Sequence, residues 1–116
     1  TDQSWIKDDF GWWVKKADGT WLASTWYLLP YMGTMEWYYF GADGYMKTGW
    51  FQDVDGNKYY LHPVSDGTMG RMYYGWQLID GKWYYFNEVS DGTKGALKTN
   101  TWIGDYYVDA NGVWTE

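Results

Sequence analysis

The chain has 116 residues, one domain's worth, with a net charge of −6, and this acidic balance disfavours nucleic acid, whose backbone is held by clustered Lys and Arg. Leu, Ile, Val and Phe number only 19, too few for an aliphatic core and by themselves a mark of disorder. The 11 Trp and 13 Tyr overturn that reading, because each ring buries a large area while keeping a polar N–H or O–H at its rim. There is no cysteine, so neither a disulfide framework nor a thiolate metal site is available. No apolar run reaches the length of a membrane span, and the chain begins without an initiator Met or an apolar leader, so it is read as a segment excised from a longer protein.

Taken in order, five strand-length runs open on a tryptophan: Trp5, Trp26, Trp50, Trp76 and Trp102, at steps of 21, 24, 26 and 26. Each is answered by a return strand, Trp12-Trp13-Val14, Trp37-Tyr38-Tyr39-Phe40, Lys58-Tyr59-Tyr60-Leu61, Trp83-Tyr84-Tyr85-Phe86 and Asp105-Tyr106-Tyr107-Val108. In the fourth unit Asp80-Gly81 stands between the two runs, the dipeptide of a two-residue hairpin. Glycine-bearing turns follow the return strands at Asp18-Gly19, Asp43-Gly44, Asp66-Gly67, Asp91-Gly92 and Asn111-Gly112, where Gly supplies the positive φ of a tight reversal. Short connectors, Tyr45 to Gly49, Arg71 to Gly75 and Ala96 to Asn100, lead into the next Trp. Residues 55–68 align without a gap on residues 80–93 at a constant offset of 25.

A hairpin this small cannot bury its own rings, and stacking on its neighbours is the remedy. The sequence therefore predicts an all-β solenoid of stacked short β-hairpins, one repeat module over residues 1–116 built from units 1–21, 22–45, 46–71, 72–97 and 98–116. No segment sustains a helical period, and the glycines recur too often for helices. A long tip in the second hairpin, Tyr27 to Glu36 with Pro30 and Gly33, and expanded loops at 63–70 and 88–95 read as surface excursions. Alternation assigns Tyr39, Tyr60, Tyr85 and Tyr107, with Phe40, Leu61, Phe86 and Val108, to the core.

The runs Gly75-Trp76, Gly81-Lys82-Trp83-Tyr84-Tyr85-Phe86 and Gly44-Tyr45-Met46-Lys47-Thr48-Gly49-Trp50 resemble the repeat of the choline-binding, or cell-wall-binding, modules found on surface proteins, autolysins and phage endolysins of Gram-positive bacteria. The likeness runs from Trp5 to Trp114. Related repeats occur in glucan-binding domains of glucosyltransferases and in receptor-binding repeats of clostridial toxins. The resemblance implies an extracellular, cell-wall-associated module whose partner is a choline- or phosphocholine-decorated polymer such as teichoic acid. It implies no cofactor, no membrane partner and no nucleic acid.

In that family a trimethylammonium sits between consecutive units, among the Gly-Trp tryptophan, the first aromatic of the return strand and the next unit's Tyr, often with a Met nearby. A quaternary ammonium cannot donate a hydrogen bond, so it is recognised by ring faces around a diffuse charge, each worth roughly 0.5–2 kcal/mol. Carried over residue by residue, the resemblance implies four cages. The best match is Trp76 and Trp83 with Tyr106, with Leu97 at the Met position. Next come Trp26 and Trp37 with Tyr59, lined by Met46, and Trp5 and Trp12 with Tyr38. In the fourth, Trp50 and Tyr84 are present with Met72 available, but Lys58 replaces the middle aromatic and repels a cation, so this site is expected to be weak, absent or adapted to something else. Trp114 is left to cap the array.

Other chemistry finds little support. His62, the one histidine, has no partners at metal or general-base spacing and reads as a solvated loop residue. Asp53-Val54-Asp55-Gly56-Asn57 resembles part of a calcium loop but lacks its remaining ligands and reads as a hairpin turn. Ser24, Ser65 and Ser90 have no nucleophile-elbow context, and the acidic residues form no acid–base pair. A non-catalytic module is expected. Three readings stay open on the residues alone: a choline-binding module, a carbohydrate-binding (glucan) module using the same rings as platforms, and a structural or interaction stalk, with pairing into a homodimer through the ends as a further possibility.

Overall fold

The computed structural model describes residues 4–31, 33–66 and 69–115. Within them are eleven short strands: β1 (Ser4–Asp8), β2 (Gly11–Lys15), β3 (Thr25–Tyr31), β4 (Thr34–Phe40), β5 (Gly49–Gln52), β6 (Lys58–Leu61), β7 (Gly75–Ile79), β8 (Lys82–Phe86), β9 (Thr101–Ile103), β10 (Tyr106–Val108) and β11 (Trp114–Thr115). They pair in sequence order as five antiparallel hairpins, with β11 added to the last. The all-β expectation therefore holds for the described residues, which contain no helix. The molecule divides into two compact units, residues 1–49 with 61–72 and residues 50–60 with 73–116.

The turns form for local reasons. In the β7–β8 hairpin Ile79 pairs with Lys82, and the two residues between them, Asp80 and Gly81, both have positive φ (51° and 80°), the geometry that matches the right-handed twist of the strands. After four of the return strands an aspartate closes the turn on itself. Asp18 Oδ1 accepts from the Thr20 N–H and hydroxyl, Asp91 Oδ1 does the same for Thr93, Asp43 accepts from the Tyr45 N–H and Asp109 from the N–H groups of Asn111 and Val113. These hydrogen bonds hold the carboxyls of Asp18 and Asp91 below the ordinary carboxylate range. The glycine of the expected turn at Asp66-Gly67 lies outside the described residues.

Two expectations are corrected. The second hairpin has a longer ladder, not a longer tip: pairing continues from Thr25↔Phe40 through Pro30↔Met35 to Tyr31↔Thr34. Pro30 is tolerated because a two-stranded ribbon leaves one side of each strand without a ladder partner. His62 is not a solvated loop residue, since its side chain is only 12% exposed and its Nε2 lies 3.0 Å from Asp66 Oδ2. Asn87, at the same position one repeat later, is buried and donates through Nδ2 to Asp91 Oδ1, to the Val89 and Thr93 carbonyls and to Thr93 Oγ1. Both loops are thus tied from below by the residue that ends the return strand.

Phe40, Leu61, Phe86 and Val108 are fully buried, as expected. The tyrosines assigned to the core, Tyr39, Tyr60, Tyr85 and Tyr107, are only half-buried; Tyr38 and Tyr59 are buried instead in the second and third hairpins, while in the last two Tyr84 is half-buried and Tyr106 exposed. The reason is the period of a strand. Residues two apart share a face, so Tyr38 goes with Phe40, and Tyr39 goes with Trp37 to the opposite face. There the opening Trp meets it across the hairpin, with edge-on rings at 5.3 Å for Trp26–Tyr39, 5.0 Å for Trp50–Tyr60, 5.2 Å for Trp76–Tyr85 and 5.2 Å for Trp102–Tyr107.

Candidate functional site

Each hairpin consequently has two faces with different work. One face carries the opening Trp and the first residue of the return strand; the other carries the second return-strand aromatic. In the first unit of the molecule the Trp5–Trp12 face of the first hairpin meets the Tyr38–Phe40 face of the second, with Trp5 at 5.1 Å and 70° from Tyr38, 5.8 Å from Phe40, and 6.3 Å and 79° from Trp12. Val14, Leu22, Leu29, Tyr38 and Phe40 form the core beneath. In the second unit Trp50 stands 5.0 Å and 71° from Tyr84 and 6.0 Å from Phe86, and Trp76 stands 5.8 Å and 83° from Tyr106. One corner of near-perpendicular rings therefore recurs three times.

The last of these corners is open. Trp76, Trp83, Tyr106 and Trp114 line a cavity of about 310 Å³, within the size range of small-ligand clefts. Trp83 and Tyr106 are exposed, and Tyr106 also packs edge-on against Trp114 at 6.0 Å and 77°. The three residues assigned to this cage from sequence come together, and Trp114, assigned only a capping role, supplies a fourth wall. It arrives because Val113 bridges to Tyr84 while Trp114 pairs with Val108, a contact between distant turns that no local signal encodes.

The corner at Trp5, Trp12 and Tyr38 also assembles, but Tyr38 is only 2% exposed and its ring serves the core as well as the corner. Trp26 and Trp37 lie in the first unit and Tyr59 in the second. Burial, and then the charge of Asp55, whose Oδ2 accepts from its hydroxyl, push the Tyr59 phenol up to about 12.

The connectors bond to the return strand of the hairpin before. Met46 donates its N–H to the Trp12 carbonyl, Met72 donates to Trp37, and Leu97 donates to Lys58. The neighbouring Tyr45 hydroxyl reaches Asp8 Oδ2 at 2.8 Å. The Met46 thioether lies against Gly70, and Leu97 lines the Trp50 cavity and not the Trp76 one. The cause is that each connector bridges its own return strand, at Phe40↔Met46, Leu61↔Met72 and Phe86↔Leu97, while its outer edge bonds to the hairpin before.

The Lys58 corner differs in chemistry. Trp50, Phe51, Gln52, Lys58, Tyr84, Leu97 and Asn111 line a cavity of about 440 Å³, with Lys58 at the position that Trp12, Trp37 and Trp83 hold in the first, second and fourth hairpins.

Comparison with known proteins places this architecture. A model of the choline-binding repeat matches residues 34–71, and one of the putative cell wall binding repeat matches residues 75–88. The solved choline-binding domain of Spr1274 in Streptococcus pneumoniae is 40% identical over 80% of this chain and 96% of its own, with a TM-score of 0.58. Choline binding protein F from S. pneumoniae, solved with a peptidoglycan analogue, is 33% identical with a TM-score of 0.77 and covers 97% of this chain. The multimodular pneumococcal cell wall endolysin from phage Cp-1, complexed with choline, is 30% identical with a TM-score of 0.65 over 99% of it. The chain spans 33% of the former protein and 31% of the latter. No curated protein sequence matches significantly. The chain belongs to the choline-binding repeat family.

Proposed function

We propose that this chain is a non-catalytic module that holds a larger protein at a Gram-positive cell wall by binding choline, or phosphocholine, on a wall polymer. The observation that carries the proposal is the cavity of Trp76, Trp83, Tyr106 and Trp114: four aromatic walls surround a space that, among the described residues, no acidic side chain lines, the environment in which a diffuse cation is held by π-faces. An ordinary ammonium would leave its N–H donors without acceptors there, so the site selects a methylated cation. Support also comes from the relatives, among them an endolysin solved with choline.

Trp76, Trp83 and Tyr106 are the principal ligand residues, with Trp114 beside them. Trp5, Trp12 and Tyr38 form a second site, and Trp26 and Trp37 contribute to a third. Single sites of this kind are weak, and several engaging one polymer raise the overall avidity by about 10²–10⁴. The test is retention on a tertiary-amine resin and release by free choline, with a choline-dependent rise in melting temperature measured alongside. If choline neither releases the protein nor stabilises it while a soluble glucan does, the rings are sugar platforms and the choline reading is wrong.

A further inference from the structure

We propose that the Trp50–Lys58–Tyr84 cavity is a second kind of site, one that binds a pyranose carrying an anionic substituent, a phosphate ester or a carboxylate, and does not bind choline. Three observations carry this. First, the wall that closes a cation box is here Lys58, whose ammonium opposes any cation brought among these rings. Among the described residues it forms no ion pair with a carboxylate, and none of the described lining residues is acidic, so its charge remains available to a ligand.

Second, the floor is rigid. The Trp50 indole is 43% exposed yet fixed edge-on by Tyr60 at 5.0 Å and Tyr84 at 5.0 Å and held by Phe86 at 6.0 Å. A flat ring held this way suits the apolar face of a sugar and loses little conformational entropy when the sugar is seated. Third, Gln52 and Asn111 line the same cavity; a carboxamide both donates and accepts, as hydroxyls require, and although the Gln52 Nε2 donates to the Gly56 carbonyl, its oxygen can still accept. Their share of the lining makes this cavity more polar than the almost wholly aromatic Trp76 cavity, though still mostly apolar, and its volume, about 440 Å³ against about 310 Å³, leaves room for a ring plus a substituent. One cation, two amides and an immobile aromatic floor fit an acidic sugar better than a lone anion or a neutral one.

The experiment is calorimetric titration of the intact chain with glucose 6-phosphate and with glucuronate, with glucose, inorganic phosphate and choline as separate arms. The proposal expects at least one acidic sugar to bind about tenfold more tightly than glucose, the advantage of a charge-assisted hydrogen bond, with inorganic phosphate no better than glucose and saturating choline displacing neither sugar. Whichever acidic sugar binds identifies the substituent. Lys58→Gln should remove the advantage while its choline isotherm stays that of the wild type, which also shows that the variant is folded. Lys58→Trp should abolish acidic-sugar binding and add one choline site. Equal binding of glucose and both acidic sugars, no sugar binding, phosphate binding as tight as the sugars, displacement by choline, or an unaltered Lys58→Gln isotherm would each overturn the proposal. The choline arm reports on the other cages independently, so failure here is distinguishable from failure of the choline reading.

Discussion

At the scale of single residues, position in the return strand decides what a ring does. Trp83 is exposed on the face that carries Trp76, and its ring lines the open cavity. Trp83→Ala removes one π-wall, a loss on the order of 0.5–2 kcal/mol, and should weaken choline binding at that site by several-fold to about thirtyfold. Lys58→Ala should leave choline affinity unchanged or raise it slightly. Calorimetry on the two variants checks the ranking, and the reverse order would show that the cages are wrongly placed. Tyr59 offers a second residue-scale test. Its folded pKa is raised to about 12 by burial and by Asp55, so the neutral phenol contributes stability fully below pH 10, and that contribution is lost as pH rises from about 10 to 12. Alkaline unfolding followed by Trp fluorescence should show this loss, and Tyr59→Phe should reduce the steepness of the transition.

At the scale of the hairpin and its turn, two equivalent glycines make a controlled comparison. Gly19 and Gly44 have nearly the same φ, 89° and 86°, and close the same Asp-Gly turn. A Cβ on Gly19 would meet nothing within 4 Å, whereas one on Gly44 would stand 2.6 Å from the Trp21 indole, a rigid ring that must move. Gly19→Ala should cost about 1 kcal/mol from left-handed backbone alone, and Gly44→Ala that amount plus an overpacking term of about 1–3 kcal/mol. Urea titration of both variants measures the difference, and equal costs would mean that Trp21 does not pack on this turn.

Much of the hairpin is legible in the sequence, because turns and strand alternation are local. The opening tryptophans, the return strands, the Asp80-Gly81 turn and the buried Phe40, Leu61, Phe86 and Val108 all follow from spacing and turn chemistry. What the sequence hides is non-local or depends on one step of register. Tyr38 and Tyr39 exchange roles because a one-residue shift moves a side chain to the other face. Leu97 lies away from its expected cage because its connector's second hydrogen-bond partner, Lys58, lies in the preceding return strand. Pro30 looks like a loop residue because a turn former signals a break whether or not the ladder continues past it, as it does here to Tyr31↔Thr34.

At the scale of the whole molecule, repetition builds the corners: Trp5, Trp50 and Trp76 each meet a ring, Tyr38, Tyr84 or Tyr106, that belongs to the next hairpin. Choline does not titrate and aromatic faces carry no ionising group near neutrality, so choline affinity should be constant from pH 5 to 9, as measured by fluorescence titration. A steep change in that range would point to a carboxylate or histidine in the cage. The lowered carboxyls of Asp18 and Asp91 stabilise the fold above their ordinary range and lose that contribution as pH falls through their folded values, so acid loosens the turns outside the binding range. Retention on a surface densely coated with choline should exceed single-site affinity by about 10²–10⁴, and the excess should vanish on a sparse surface.

That rings of consecutive hairpins enclose a methylated cation is tested most directly by a choline titration of the intact chain followed by Trp fluorescence. The expected result is a saturable change at millimolar choline that trimethylammonium alone reproduces and ammonium does not, and that is diminished in Trp83→Ala. A fluorescence signal unmoved by choline, or moved equally by ammonium, would contradict it.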